Sequence, residues 1–144
     1  MSRATRAPTR PSVASPGRDD AIVHSTLIGT EELARHLGDP AFVVVDVRHD
    51  LMNPESFGED AYAKSHVAGA VFARLDRDLS AVKTGRNGRH PLPTPEAAEA
   101  VFGRLGVDAT RQVVAYDQGG ALFAARAGWV RRWLGHDKGA VRAW

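Results

Sequence analysis

The stretch Phe42-Val43-Val44-Val45-Asp46-Val47 constrains the fold more than any other part of the chain. Its apolar residues are consecutive rather than alternating. A strand with one wet face would show alternation, so this one belongs in a parallel sheet covered on both sides. Gln112-Val113-Val114-Ala115-Tyr116 is a second strand of the same kind. Helical patterns flank both. Thr94-Pro95-Glu96 opens a helix with Thr as N-cap, Pro at the first helical position and an acid in the first turn. Its stripe of Ala97, Val101, Phe102 and Leu105 should face the core, and Gly106 ends it. Ala121 to Leu134 reads as another helix, with Ala124, Ala125 and Gly128 small enough for close packing on a sheet and Gly135 as its stop.

The weaker segments fill in the order. Ser25 to Ile28 reads as a short strand, and Thr30 as the N-cap of a helix reaching Leu37, with Gly38 as terminator. Arg48 to Ser65 is polar, holds Pro54 and Gly58, and reads as a long loop. His66 to Phe72 leads into a short strand, Leu75 to Pro93 is a second long connection, and Ala140 to Trp144 begins a last strand. Strands alternating with helices imply an α/β domain with a mainly parallel sheet. The reactive site of such a sheet lies at the carboxyl ends of its strands, here after Val47 and after Tyr116.

Charge is unevenly placed. Arg3, Arg6, Arg10 and Arg18 give residues 1–18 a charge of +4 with no acid, so the net +2 of the chain leaves −2 for the rest. The basic character therefore belongs to a leader, and a nucleic-acid surface on the domain is not supported. With Pro8, Pro11 and Pro16 and few apolar residues, residues 1–24 are expected to be a disordered leader, and 25–144 the domain. The leader has the Arg and Ser content of a transit peptide, but its prolines suit an amphipathic helix poorly, and a solvated leader is favoured. No apolar run is long enough for a signal peptide or a membrane span, which places the chain in the cytoplasm as a sequence expectation. There are no cysteines, which excludes disulfides, thiolate metal sites and thiol nucleophiles.

Seven segments, in order, resemble the rhodanese family, specifically the first half of thiosulfate and 3-mercaptopyruvate sulfurtransferases. They are VVVDVR (Val43 to Arg48), YAKSHVAGAVF (Tyr62 to Phe72), LDRDLS (Leu75 to Ser80), GRHPLPTPE (Gly88 to Glu96), LGV (Leu105 to Val107), VVAYDQGG (Val113 to Gly120) and AARAGWVRRWLGH (Ala124 to His136). The resemblance implies a three-layer domain, a mainly parallel central sheet between helices. Two features depart from the family. The usual His-Ile-Pro-Gly reads His66-Val67-Ala68-Gly69, and the chain after Gly135-His136 reads as shortened at its C-terminal end, with the second domain missing.

For active members the resemblance implies a Cys just after a buried strand, whose thiolate and persulfide are held by the following backbone N–H groups and the helix dipole. Here that position is Asp117, followed by Gln118, Gly119 and Gly120. A carboxylate carries no transferable sulfur, so no catalytic residue is assigned, and Asp117 reads as a cap for the next helix. Arg126 has two open readings, an anchor pairing with Asp117 or a solvated helix residue. Asp46 and Arg48 read as hydrogen-bonding loop backbone at the strand end. His66, His90 and His136 are separated by 24 and 46 residues, no compact ligand motif, so structural hydrogen bonding is expected and neither metal nor cofactor is called for. Gly119-Gly120 lacks the Lys and Ser/Thr of a phosphate loop.

Two functions fit. One is a sulfurtransferase half that is silent alone and supports a catalytic rhodanese domain; the other is a free-standing regulatory module that grips an anion or a partner. A related phosphatase type also needs a Cys before its loop. Trp129 and Trp133 are expected to leave an apolar patch on the last helix, favouring the missing domain or self-association.

Overall fold

The computed structural model describes residues 23–136 and 139–142. The leader expectation for residues 1–22 falls outside them. At its margin, the His24 backbone exchanges two hydrogen bonds with the side-chain amide of Gln112, at 3.0 and 2.8 Å.

Consecutive apolar residues produce a strand buried on both faces. β1 (Phe42–Asp46) is central, and β3 (Gln112–Tyr116) lies parallel beside it, pairing Val43 with Val113 and Asp46 with Tyr116. β2 (Val71–Phe72) flanks β1, and β4 (Gly139–Arg142) flanks β3, both parallel. The described sheet has the order β2-β1-β3-β4.

Strand periodicity then splits the core in two. Val43, Val45, Val47, Val113 and Ala115 face α4 (Pro95–Arg104) and α5 (Leu122–Trp133) through Ala98, Phe102, Ala124, Ala127 and Val130. Val44, Val114 and Tyr116 face the other way, against Ile28, Ala70 and Leu33 of α1 (Thr30–Arg35). Three layers result, as the resemblance implied.

Start signals held where they were local. The Thr94 hydroxyl accepts from the Ala97 N–H at 3.2 Å, Pro95 opens α4, and Gly106 follows its end at φ +82°. Its buried stripe runs through Ala98, not Ala97, because Ala98 is the residue that shares the i, i+4, i+7 face with Phe102 and Leu105. Elsewhere tertiary contacts override local pattern. Ser25 to Ile28 contributes a single bridge at Leu27 rather than a strand. Gly29, not Thr30, precedes α1, which ends at Arg35.

The largest correction is α2 (Phe57–Lys64), a helix inside the segment expected to be a loop. It is short and polar, so it shows little periodicity of its own, and its contacts hold it. Tyr62 packs on Phe72 and donates its hydroxyl to the Ala70 carbonyl at 2.7 Å. Gly58 is required, since a Cβ there would lie 2.3 Å from the Arg48 carbonyl oxygen.

The second long connection begins with a single helical turn, α3 (Leu75–Asp78). Asp78 is buried and accepts from the Arg74 N–H at 2.7 Å, from Arg77 at 3.0 Å and from Arg104 of α4 at 2.8 Å. Burial alone would raise this carboxyl; hydrogen bonds from Arg77 and Arg74 and the charges of Arg77 and Arg104 outweigh it and hold the group below the ordinary aspartate range. A carboxyl depressed in the folded state contributes stability above its unfolded value of about 3.9 and loses it as pH falls through the folded value. Urea titrations should therefore show Asp78→Asn less stable than the parent chain at neutral pH, with the gap closing as pH drops from about 4 to about 2. A gap unchanged at about pH 2 would contradict this.

Candidate functional site

Strand β3 delivers its chain into a turn that only two left-handed residues in succession can make. Gly120 sits at φ +66° and Ala121 at φ +60°. The first is a glycine at no steric cost, and the second costs about 1 kcal/mol for a residue with a Cβ. This path folds the first turn of α5 back over the end of β3 and puts Asp117 beneath it.

Asp117 is fully buried. One carboxylate oxygen accepts from the Gly119 N–H at 2.9 Å, and the other from the N–H groups of Phe123 and Ala124 at 2.8 and 3.0 Å. These last two are otherwise unpaired donors of the first helical turn, and the positive end of the helix dipole adds to the attraction. Asp117 thus caps α5 from within the preceding turn, while Ala121 holds the position next to the helix. Gln118 points the other way. Its amide nitrogen donates to the His49 carbonyl at 2.5 Å and its amide oxygen accepts from the His49 N–H at 3.2 Å, locking this turn to the loop after β1.

Asp46 closes the adjacent strand, also fully buried. It accepts the Arg48 guanidinium through two nitrogens, at 2.9 and 2.6 Å, the Arg48 N–H at 3.0 Å and the Tyr116 hydroxyl at 2.7 Å. The hydrogen bond with Asp46 raises the Arg48 pKa further, and burial raises that of Tyr116, so cation and neutral phenol persist across the usable pH range. Arg48 also donates to the Ser65 carbonyl at 2.6 Å. His66 stacks on Tyr62, with its Nδ1 2.8 Å from the Tyr62 carbonyl oxygen, on the rim of a 390 Å³ depression that Arg48, Tyr116 and Asp117 also line.

Arg126 takes neither role that the sequence left open. It does not meet Asp117. Its guanidinium donates to the carbonyls of Leu79, His90 and Pro91 at 3.1, 3.2 and 3.3 Å, tying α5 to both ends of the second long connection.

That connection carries a group that sequence reasoning missed. Asp76 lies with one carboxylate oxygen 2.9 Å from Nδ1 of His90, close but out of line with the ring N–H. The His49 ring packs edge-on to those of His90 and Phe123, at 6.1 and 5.2 Å between centroids. Burial lowers the His49 pKa and keeps its ring neutral. His90 drew notice in the sequence only as one of three scattered histidines. Nothing local marks its pairing, because the partner is fourteen residues away across a loop. Among the described residues no three of His, Asp and Glu lie close enough to hold a metal ion. No helix among them is long and apolar enough to cross a membrane.

The chemistry of the crook after β3 is thus that of a buried oxygen anion with its amides already engaged. Comparison with known proteins identifies the family. Residues 29–143 match the family described as "Rhodanese-like domain". A Pseudomonas aeruginosa protein named "Probable 3-mercaptopyruvate sulfurtransferase" is 44% identical over 114 residues, covering 78% of this chain and 40% of that protein. An Arabidopsis thaliana protein, "Thiosulfate/3-mercaptopyruvate sulfurtransferase 2", is 34% identical over 112 residues, covering 78% and 32%. The solved structure of a 3-mercaptopyruvate sulfurtransferase from Leishmania major superposes with a TM-score of 0.73 at 30% identity, covering 81% of this chain and 32% of that one. The chain spans about 40% of the length of the first curated relative it matches, as the N-terminal domain of a two-domain enzyme would. The parallel sheet and the match over residues 29–143 make this chain a member of the rhodanese-like domain family.

Proposed function

We propose that this chain is the non-nucleophilic half of a sulfurtransferase, silent alone, which supports a separate Cys-bearing rhodanese domain in moving sulfane sulfur from thiosulfate or 3-mercaptopyruvate. The observation that carries the reading is Asp117. Its buried carboxylate stands in the turn where the resemblance places a thiolate, and it consumes three backbone N–H groups of that turn and helix start. Oxygen forms no stable persulfide, and a fixed negative charge in the crook repels an anionic donor. With no cysteine anywhere in the chain, nothing else supplies the sulfur nucleophile.

The exposed apolar residues support a partner domain. Leu51 and Met52 follow the end of β1 and Leu122 opens α5 after β3, and all three are exposed at the carboxyl side of the sheet. An edge of this kind buries its apolar surface when another domain covers it.

The reading of a free-standing anion-binding module gains less support. In the 390 Å³ depression Arg48 is already neutralised by Asp46, and Asp117 adds a negative charge, so an incoming anion meets no net attraction.

Sulfur-transfer assays test the proposal. The purified chain with thiosulfate and cyanide, or with 3-mercaptopyruvate and a thiol, should give no turnover above background. Mixing with a separately produced Cys-bearing domain should raise that domain's rate or stability. Turnover by the isolated chain would sink the reading.

A further inference from the structure

Residues 79–93 carry Lys83, Arg86 and Arg89 and no acid. Residues 82 to 89 are exposed without a break, and Val82 at their start keeps 85% of its surface in water. Fixing such a stretch in one shape costs conformational entropy at every residue. This one is held nonetheless. Asn87 accepts from the Thr84 N–H at 2.8 Å through Oδ1 and donates from Nδ2 to the Val82 carbonyl at 2.9 Å, so one side chain closes the tip. Gly85 and Gly88 turn the backbone at φ +81° and +90°, where a side chain would be strained. At the base, the Ala81 N–H donates to the Pro91 carbonyl at 2.9 Å, and Arg126 of α5 binds the carbonyls of Leu79, His90 and Pro91.

The cations on this frame are unspent. Among the described side chains, Arg86 and Arg89 are the guanidinium groups with neither a hydrogen bond nor an ion pair. The others reach a carboxylate, a carbonyl or, for Arg131, His136. Lys83 stands 3.9 Å from Asp76, at the outer limit of a pair. A guanidinium is a planar fork that takes a carboxylate or a phosphate through two bonds. The charge on the rest of the chain chooses between them. Residues 19–144 carry −2, so without these three cations they carry −5. A nucleic acid or an anionic membrane spreads its charge widely and would meet those acids as well. A short acidic stretch of protein meets the loop alone.

We infer that residues 82–89 form a preorganised docking loop for a short Asp/Glu-rich segment of a partner protein, with Arg86 and Arg89 each taking a carboxylate and Val82 covered beside them. Because Asn87 fixes the backbone beforehand, little ordering remains to be lost when the partner arrives. Such a surface serves whether or not the chain also supports a sulfur-carrying domain.

The test is the fluorescence anisotropy of fluorescein-labelled hexaglutamate at about 0.05 M salt, where exposed charges are only partly screened. The reference is the full chain carrying Arg3→Gln, Arg6→Gln, Arg10→Gln and Arg18→Gln, so that the basic residues ahead of the domain add nothing. Adding Arg86→Gln and Arg89→Gln, both exposed and unpaired, should weaken binding about five-fold. Asn87→Ala keeps all three cations but frees the tip, and should weaken binding about three-fold, which net charge alone would not do. A loss of about two-fold or more in both supports the docking loop. No binding by the reference chain, or a smaller change in either variant, overturns it. A single-stranded DNA of about twenty nucleotides, or phosphatidylserine vesicles, held more tightly than the peptide through the same two arginines overturns the choice of a protein partner.

Discussion

Asp117→Ala lowers the stability of the domain by about 3 kcal/mol, and Asp117→Asn by about half as much. The alanine removes an acceptor from three N–H groups, of which that of Ala124 is buried and cannot turn to water. Each buried donor left without a partner costs about 1–3 kcal/mol, more where the lost acceptor was charged, and the effects of neighbours do not simply add. Asparagine keeps the shape but has only one acceptor atom. With its oxygen toward Phe123 and Ala124, its NH2 faces the Gly119 N–H, donor against donor. Against a typical domain stability of about 5–15 kcal/mol, the alanine should shift the urea midpoint far enough to read without ambiguity. A midpoint within error of the parent would show that these amides find other partners at no net cost. The crook's assignment as a purely internal cap depends on that result.

A loss of about 3–5 kcal/mol follows from Asp46→Ala, through a different mechanism. Alanine there strands the Arg48 guanidinium in a mostly buried place, and leaves the Tyr116 hydroxyl without its acceptor. Removing one member of a buried pair costs far more than removing both, because an uncompensated charge remains. Arg48 keeps 17% of its side-chain surface exposed, and solvent screening puts the loss toward the lower end of the range. The double variant Asp46→Ala, Arg48→Met should therefore recover a good part of the loss, and denaturant titration of the four proteins of the cycle measures it. If the two substitutions simply add, the ion pair contributes nothing and the strand ends are held by packing alone.

Both predictions concern positions the sequence had marked, and the reason lies in how local the signals were. Consecutive valines specify a strand covered on both faces, and β1 and β3 form where those runs are. The Thr94-Pro95 start is encoded within four residues and survives folding. The absence of cysteine is a property of composition that no fold alters. Likewise, the exposed Trp129 and Trp133 follow from helical spacing on α5, and their rings stack at 6.1 Å in the open.

What the chain alone determined, then, was the sheet, the absence of cysteine and the residue that follows β3, all set by contacts within a few positions or by composition. The tertiary structure decided the rest. It sent Asp117 to amides six and seven residues ahead through two left-handed residues, gave Arg126 to distant carbonyls instead of to Asp117, raised α2 from a polar stretch, and joined His90 to Asp76. Polar side chains are directional and short-ranged, so their partners depend on where loops pass in space, and a one-dimensional pattern does not carry that path.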